Sequence, residues 1–343
     1  MQGICHCALH GLSKQHRTAL LAGAIMQHMK KILLTGATGF IGNALTRHLA
    51  ETEHAVKTLI RPSPTSPNLP RGIPLEVAVS GLNDPRGLRA ALVDIDIIYH
   101  LASEERHGGE ADLLQTDIQG TKTLLKAAED AGVDRFFYLS HLGADRASAF
   151  PVMTAKAIAE ESIRKSSLDT TILRCAVVYG QNDHFTTGLA KLLKLIPFVF
   201  FLPGDGDTLL QPLWIEDLAT TLVWALDDDD TRNQVYEIGG PEHLTFREIV
   251  ETLLKTLEIK RLLVPVQIPY LRFLTIFAEY LFPSPPTNVF WLDYLAANRT
   301  SSLTTLPHHF NLLPSYFEKR LEYLEDQKWG RKAWRSMFSK DQT

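Results

Sequence analysis

The stretch "TGATGFIG" places Gly36, Gly39 and Gly42 where they could cradle a pyrophosphate. It follows the apolar segment "KILLT" (Lys31–Thr35) and opens a helix, the context a dinucleotide-binding loop requires. Gly36 allows the tight turn, Gly39 lets the backbone approach the phosphates, and Gly42 lets the helix pack close to the sheet. The helix N-terminus presents free N–H groups and a positive dipole to an anion. A plain strand-to-helix turn would not need three glycines at this spacing. No acidic residue for the ribose hydroxyls is evident about 20 residues further on. The second strand ends instead in Arg61, whose fork suits a 2′-phosphate, although a surface arginine at a strand end is also common. This favours NADP(H) over NAD(H) as cofactor.

Other residue types invite less chemistry. Cys5, His6, Cys7 and His10 match no closed zinc spacing, so no metal site is expected. Cys175, in "LRCAVV", reads as a small core residue. His100, inside "YHLAS", reads as packing near the loop, and His308 and His309 fall in a weakly patterned segment.

The elements that must position the glycine loop alternate regularly. After the first strand and its helix come "AVKTLIR", "PLEVAVS", "DIIYHLA" (Asp96–Ala102), "RFFYLS" (Arg135–Ser140), "TTILRCAVVYG" and "QVYEIGG". A helix over 113–131 separates "DIIYHLA" from "RFFYLS". Short apolar strands between amphipathic helices imply an α/β fold, a doubly wound parallel sheet of Rossmann type. Beyond Asp183 the pattern turns helical and proline-punctuated, which predicts a smaller, mostly helical C-terminal lobe. The expected division is an extension over 1–29, a nucleotide-binding domain over 30–184 with strand 234–240 returning to it, a substrate or partner lobe over 185–233 and 241–326, and a basic tail over 327–343. The extension is read as disordered, with Met29 beginning the folded protein, and a targeting peptide as the other reading.

At 343 residues with 45% hydrophobic and 22% charged content, the chain is composed like a soluble globular protein. Its net charge of -4 gives no reason to expect nucleic acid as a partner. Three cysteines cannot build a disulfide framework, which fits a reducing compartment. The apolar run from Leu262, "LLVPVQIPYLRFLTIFAEYLF", is interrupted by Pro265, Pro269, Arg272 and Glu279. It reads as helical packing, with a membrane surface as the alternative. The tail "KWGRKAWRSMFSK" mixes Trp329, Trp334 and Phe338 with cations and could dock on an anionic surface or a partner, or fray in solvent. The localisation these features suggest is cytoplasmic, or peripheral at a membrane.

The pieces "TGATGFIG", "YHLAS", "GTKTLLKAAEDAGVDRFFYLSHLGA", "AKAIAEE", "ILRCAVVYG", "QPLWIEDLA" and "YEIGGPEHLTFREIV", in this order, resemble extended and atypical short-chain dehydrogenase/reductases. The likeness runs from about Lys31 to Glu251. It is similar above all to the branch holding the nucleotide-binding accessory subunit of respiratory complex I, with NmrA-like regulators and sugar-nucleotide epimerases as competitors. The resemblance implies that the loop residues Gly36, Thr38, Gly39, Phe40, Ile41 and Gly42 hold the pyrophosphate and Arg61 the adenosine phosphate. Leu101 and Ala102 would line the groove, Lys156 would bond the nicotinamide ribose, and Ser140 and Tyr179 would stand nearby.

Departures from the family pattern are informative. In "FPVMTAKAIAEE" Lys156 is in place, but the tyrosine four residues earlier is Val152, which has no proton to give. "SGLND" puts Ser80 and Gly81 where relatives carry Gly-Asp, an expected asparagine is Asp117, and the assisting serine falls near Ser140 or His141. General acid–base help is worth about 10²–10⁴-fold, so an ordinary carbonyl reductase would be badly impaired. Lys156 could act alone if burial lowered its pKa toward neutrality, or His141 could carry the proton. Tyr138 and Tyr179 read as strand-packing aromatics. The function expected is an NAD(P)H-binding protein, either a weak or non-classical oxidoreductase or a nucleotide-holding accessory protein of a respiratory complex. The alternatives are an active epimerase, dehydratase or reductase using Lys156, or a nucleotide-sensing regulator. A small-molecule substrate and a membrane-associated complex are the partners left open.

Overall fold

The computed structural model describes residues 29–64, 66–105, 107, 111–282, 285–325 and 329–331. Cys5, His6, Cys7 and His10, and the whole extension before Met29, lie outside them. The central sheet is built from β1 (Lys31–Thr35), β2 (Ala55–Ile60), β3 (Glu76–Val79), β4 (Ile97–His100), β5 (Arg135–His141), β6 (Asp169–Cys175) and β7 (Gln234–Ile238). Its order is β7-β6-β5-β4-β1-β2-β3, and every pairing is parallel. The order reverses at β1, so the C-terminal ends of β1 and β4 open a crevice, where such sheets bind ligands.

Alternation along β1 explains why helices cover both faces. Ile32 and Leu34 pack with Leu45 and Leu49 of α1 (Phe40–Leu49), on the face shared by the later helices α6 (Ile215–Asp227) and α10 (Thr305–Phe310). Leu33 points the other way, to Leu88 of α2 (Pro85–Ala91), Leu124 of α3 (Thr121–Ala131) and Ile163 of α4 (Pro151–Arg164). Each fully buried aliphatic side chain of this kind stabilises the fold by about 1.5–3 kcal/mol. The helix expected over 113–131 is continuous but not uniform. Leu114–Gly120 is a wider π-helical run that passes into α3.

Beyond β6 the chain builds α5 (Thr186–Leu195), α6 (Ile215–Asp227), α7 (Phe246–Thr256), α8 (Ile268–Leu281), α9 (Val289–Tyr294) and α10 (Thr305–Phe310), with short strand pairs between them. A capping box of Thr245 and Glu248 starts α7. A separate core gathers Leu189 and Leu193 of α5, Ile249 and Leu253 of α7, and Phe290 and Tyr294 of α9. Met153 is buried in it, and Val152 packs against it from α4. Trp329, at the start of the expected tail, is buried in this core as well, its indole N–H donating to the Leu324 carbonyl. Residues 332–343 lie outside the described residues. Among the described residues no helix is long and apolar enough to cross a membrane.

Arg135 ties the two chain halves at the sheet's N-terminal edge. Buried, it donates to the carbonyls of Leu226 (2.9 Å) and Asp228 (3.1 Å) and to the Thr231 hydroxyl. The Leu226 and Asp228 carbonyls at the end of α6 are thus satisfied. Arg135→Ala strands these acceptors in a buried site and should destabilise the protein by about 1–3 kcal/mol, read from the urea midpoint.

Candidate functional site

The glycine loop is forced by contact. Gly36 has φ +77, and a Cβ there would lie 2.7 Å from the Leu101 carbonyl carbon and 2.8 Å from the Ala102 nitrogen. A Cβ on Gly42 would lie 2.1 Å from the Gly36 carbonyl oxygen. The loop therefore presses against the exit of β4, and α1 presses against the loop. Gly39 closes the turn by donating to the Gly36 carbonyl at 3.0 Å, then serves as an extended N-cap without any side-chain cap. The first turn of α1, with Phe40, Ile41 and Gly42, holds no acid, so its N–H groups and dipole favour an anion. Thr38 is exposed at the loop tip, while Leu101 and Ala102 are half-buried beside it.

Arg61 follows β2 and is 66% exposed, with its guanidinium 2.7 Å from Glu104 Oε1. Glu104 also accepts from His107 at 2.5 Å. The residue read as a phosphate ligand is thus held by a carboxylate from the segment after β4.

Lys156 sits on α4 with its side chain almost wholly buried. Its Nζ lies 3.4 Å from Asp117 Oδ1 and 3.5 Å from Glu105 Oε2, and 5.5 Å from the centre of the Tyr138 ring. Asp117 projects from the π-helical run and also braces the segment after β4. It accepts from the Ser103 hydroxyl (2.6 Å) and the Glu104 N–H (3.0 Å). Glu105 joins this group to His141, whose Nε2 is 2.8 Å from Oε2. The structure therefore gathers Lys156, His141, Glu105, Asp117 and Ser103 at the C-terminal ends of β4 and β5. Sequence reading singled out the first two and noted Asp117 only as a departure. Glu105 and Ser103 went unrecognised, and the signal was the acidic pair directly after "YHLAS".

Burial and charge oppose each other here, and charge wins. Burial works against the Lys156 ammonium, yet the Tyr138 phenol and the carboxylates of Glu105 and Asp117 hold its pKa above the ordinary lysine value. This corrects the expectation that desolvation lowers it toward neutrality. Burial raises the Glu105 pKa, but the charges on His141 and Lys156 outweigh that and hold it well below the carboxylate range. Burial pushes the Tyr138 phenol up, and its hydroxyl has no hydrogen-bond partner.

The remaining candidates lie in other networks. Ser140 donates to Glu160 at 2.6 Å, within a buried group where Arg174 grips the same carboxylate. Tyr179 is enclosed by Phe317 and Trp214, with ring centres 4.9 and 5.3 Å away. His100 is fully buried between the hydroxyls of Thr35 (2.7 Å) and Thr121 (2.9 Å), and burial, aided by Lys156, lowers its pKa to about 3. Cys175 is buried, and burial raises its thiol pKa. Among the described residues no cluster of three or more His, Cys, Asp or Glu side chains could hold a metal ion.

The Glu105 shift makes a pH prediction. Its folded pKa lies below the unfolded value of about 4.3, so its stabilisation is complete at neutral pH. That stabilisation is lost as pH falls below about 4 toward the folded pKa. Glu105→Gln should flatten the acid limb of stability measured by urea unfolding between about pH 5 and 2. An acid limb as steep as that of the parent would contradict the pairing. The Lys156 shift has the opposite sign, and its contribution is lost only at the alkaline end.

Comparison with known proteins agrees with this architecture. A family model described as NAD(P)H-binding matches residues 36–193. The mitochondrial NADH dehydrogenase (ubiquinone) 1 alpha subcomplex subunit 9 of Arabidopsis thaliana is 27% identical over 287 residues, 79% of this chain and 70% of that protein. A ceramide reductase of Caulobacter vibrioides is 28% identical over 192 residues, covering 56% of this chain and 59% of the relative, less than two thirds of its length. Among solved structures, a UDP-glucose 4-epimerase of Thermotoga maritima with UDP-glucose superposes with a TM-score of 0.64 at 19% identity, covering 89% of this chain and 98% of that one. The UDP-glucose 4-epimerase of Thermus thermophilus in complex with NAD gives 0.64 at 20% identity, covering 86% and 97%. At such identities the structural likeness speaks for the fold. Together with the glycine loop and its crevice, these findings show a Rossmann fold whose residues 36–193 match an NAD(P)H-binding family model, in a chain similar to complex I alpha subcomplex subunit 9 and, in fold, to UDP-glucose 4-epimerases.

Proposed function

We propose that this protein holds NADP(H) as a nucleotide-keeping accessory protein of a membrane-associated respiratory assembly, with little or no turnover of its own. The observation that carries this reading is the state of Lys156. Its ammonium is shared between Asp117 and Glu105, and the phenol that would work with it is replaced by Val152, which packs on the C-terminal core. Gly36, Thr38, Gly39, Phe40, Ile41 and Gly42 would receive the pyrophosphate, and Leu101 and Ala102 would border the groove. Lys156 would meet the ribose hydroxyls once Glu105 yields. Ser140 and Tyr179 fit this role less well, since one is committed to Glu160 and the other lies within the core. The accessory role is also supported by the relative named as a complex I subunit.

A second reading, a non-classical reductase, draws on the His141–Glu105 pair and on the relative named ceramide reductase. When bound, the reduced cofactor supplies a hydride for a carbonyl carbon. The chain would then have to deliver a proton to the carbonyl oxygen. His141, held by Glu105, would be that donor.

Fluorescence titration of the purified chain with NADPH and NADH tests the shared premise, and absence of saturable binding by both removes each reading. Lys156→Ala should weaken NADPH at least ~tenfold, as loss of a charge-assisted bond to ribose would. Turnover on carbonyl substrates that falls about 10²-fold or more in His141→Ala would favour the reductase over the accessory role.

Arg61 allows a sharper test of cofactor choice. Arg61→Ala should weaken NADPH about tenfold and leave NADH unchanged, because only NADPH carries the 2′-phosphate. Glu104→Gln should strengthen NADPH binding by freeing the guanidinium. Equal effects on both nucleotides would refute the assignment of Arg61.

A further inference from the structure

Two buried polar atoms at the seam between the lobes, His141 Nδ1 and the Tyr294 hydroxyl, have no hydrogen-bond partner among the described residues. His141 ends β5 and Tyr294 ends α9, and their rings meet edge to face with centres 6.0 Å apart. A polar atom withdrawn from water and left unpaired is costly, and native proteins pair the great majority of such atoms. Tyr294 is 1% exposed, so bulk water does not relieve it. The Tyr138 hydroxyl is unpartnered too, but it lies on the opposite face of the sheet, in the core under α3 and α4.

The surroundings fix both rings in place without satisfying them. Arg299 donates through Nε to the Tyr294 carbonyl (3.3 Å) and through Nη1 to the Leu142 carbonyl (3.2 Å). Its guanidinium carbon lies 5.4 Å from the centre of the Tyr294 ring. The staple is tight, since Gly143 has φ +82 and a Cβ there would lie 1.7 Å from Arg299 Nη1. It ties the end of α9 to the chain leaving β5. The Phe290 ring stands 5.9 Å from that of His141 and 5.8 Å from that of Tyr294, and Trp291 closes on Phe290 and Tyr294 at 5.1 and 5.8 Å. Val152, which stands where the family resemblance places a tyrosine, packs on the same core. The C-terminal lobe thus brings a phenol of its own to this seam.

Chemistry defines what would satisfy the two atoms. Glu105 stays ionised despite its burial and can only accept, so Nε2 of His141 carries the proton of their 2.8 Å contact. In the neutral ring Nδ1 is then a lone pair that takes an O–H, and in the charged ring it is an N–H that gives to a carbonyl. The Tyr294 hydroxyl can donate to the same oxygen in either case. Burial raises the pKa of this phenol and keeps it protonated, an effect that Arg299 only partly offsets. Lys156 and Arg299 set two positive charges against those of Glu105 and Asp117, so a charged ligand would find no spare counter-charge. Phe290 and Trp291 beside the phenol suit an apolar body. Apolar walls with a few placed polar atoms, at a seam between lobes, are the common form of a small-molecule site.

We infer that Tyr294, together with His141, binds the oxygen of an uncharged hydroxyl or carbonyl group on an otherwise apolar molecule. Binding of this kind goes beyond both functional readings and requires neither the nucleotide nor turnover. Calorimetric titration of the full chain without nucleotide tests it, with 2-octanol and 2-octanone as probes and octanoate as their charged counterpart. The expected result is saturable binding of at least one neutral probe, with octanoate at least ~tenfold weaker. Tyr294→Phe should weaken that binding about tenfold, the scale of one hydrogen bond in a dry site. The same variant should raise the urea midpoint of the ligand-free protein, because its unpaired hydroxyl is gone. A hydroxyl already satisfied by a buried water would give no such rise. A midpoint that fails to rise, or a variant that fails to fold, therefore overturns the inference. So does failure of both neutral probes to bind, undiminished binding by the variant, or octanoate binding within tenfold of the neutral probes.

Discussion

The arrangement rests on one backbone contact, the approach of Gly36 to Leu101 and Ala102. Less than 3 Å would separate a side-chain carbon at Gly36 from that passing chain, and Gly42 is held against Gly36 in the same way. These contacts bring the ends of β1 and β4 and the start of α1 to one point. The segment leaving β4 must then run over the crevice, and that path delivers Ser103, Glu104 and Glu105 to their partners. Without the close approach there would be no reason for Lys156 to meet carboxylates from that direction.

A buried ammonium needs such company. Removing a charge from water costs several kcal/mol unless partners replace the lost hydration. Lys156 answers this with Asp117, Glu105 and the face of Tyr138, an arrangement that holds its proton firmly. The same satisfaction makes the lysine a poor proton carrier near neutral pH, because a group with a raised pKa seldom releases its proton there. Burial and charge thus leave Lys156 in a state suited to holding charge.

Much of the sheet could be read directly, because strand alternation and helical periodicity report local burial. The glycine loop was legible for the same reason, its residues being adjacent in the chain. The ion-pair group was not, since Glu105, Asp117, His141 and Lys156 converge from four elements and spacing along the chain carries no signal of that. The apolar run after Leu262 shows the converse limit. Its composition suggests packing, but which side of α8 turns inward depends on Asp293 and Val289, supplied by a later element.

The π-helical run Leu114–Gly120 has a further consequence for length variation in this chain. A wide turn of this kind holds residues that a regular helix would not accommodate in the same rise. Deleting one residue there would let the turn relax to ordinary α geometry, with little loss of helix. It would also swing everything on its N-terminal side by about 100° around the axis. Asp117 would leave Lys156, and Ser103 and the Glu104 N–H would lose their acceptor. The site can therefore be dismantled by a change of count, with every one of its side chains still present.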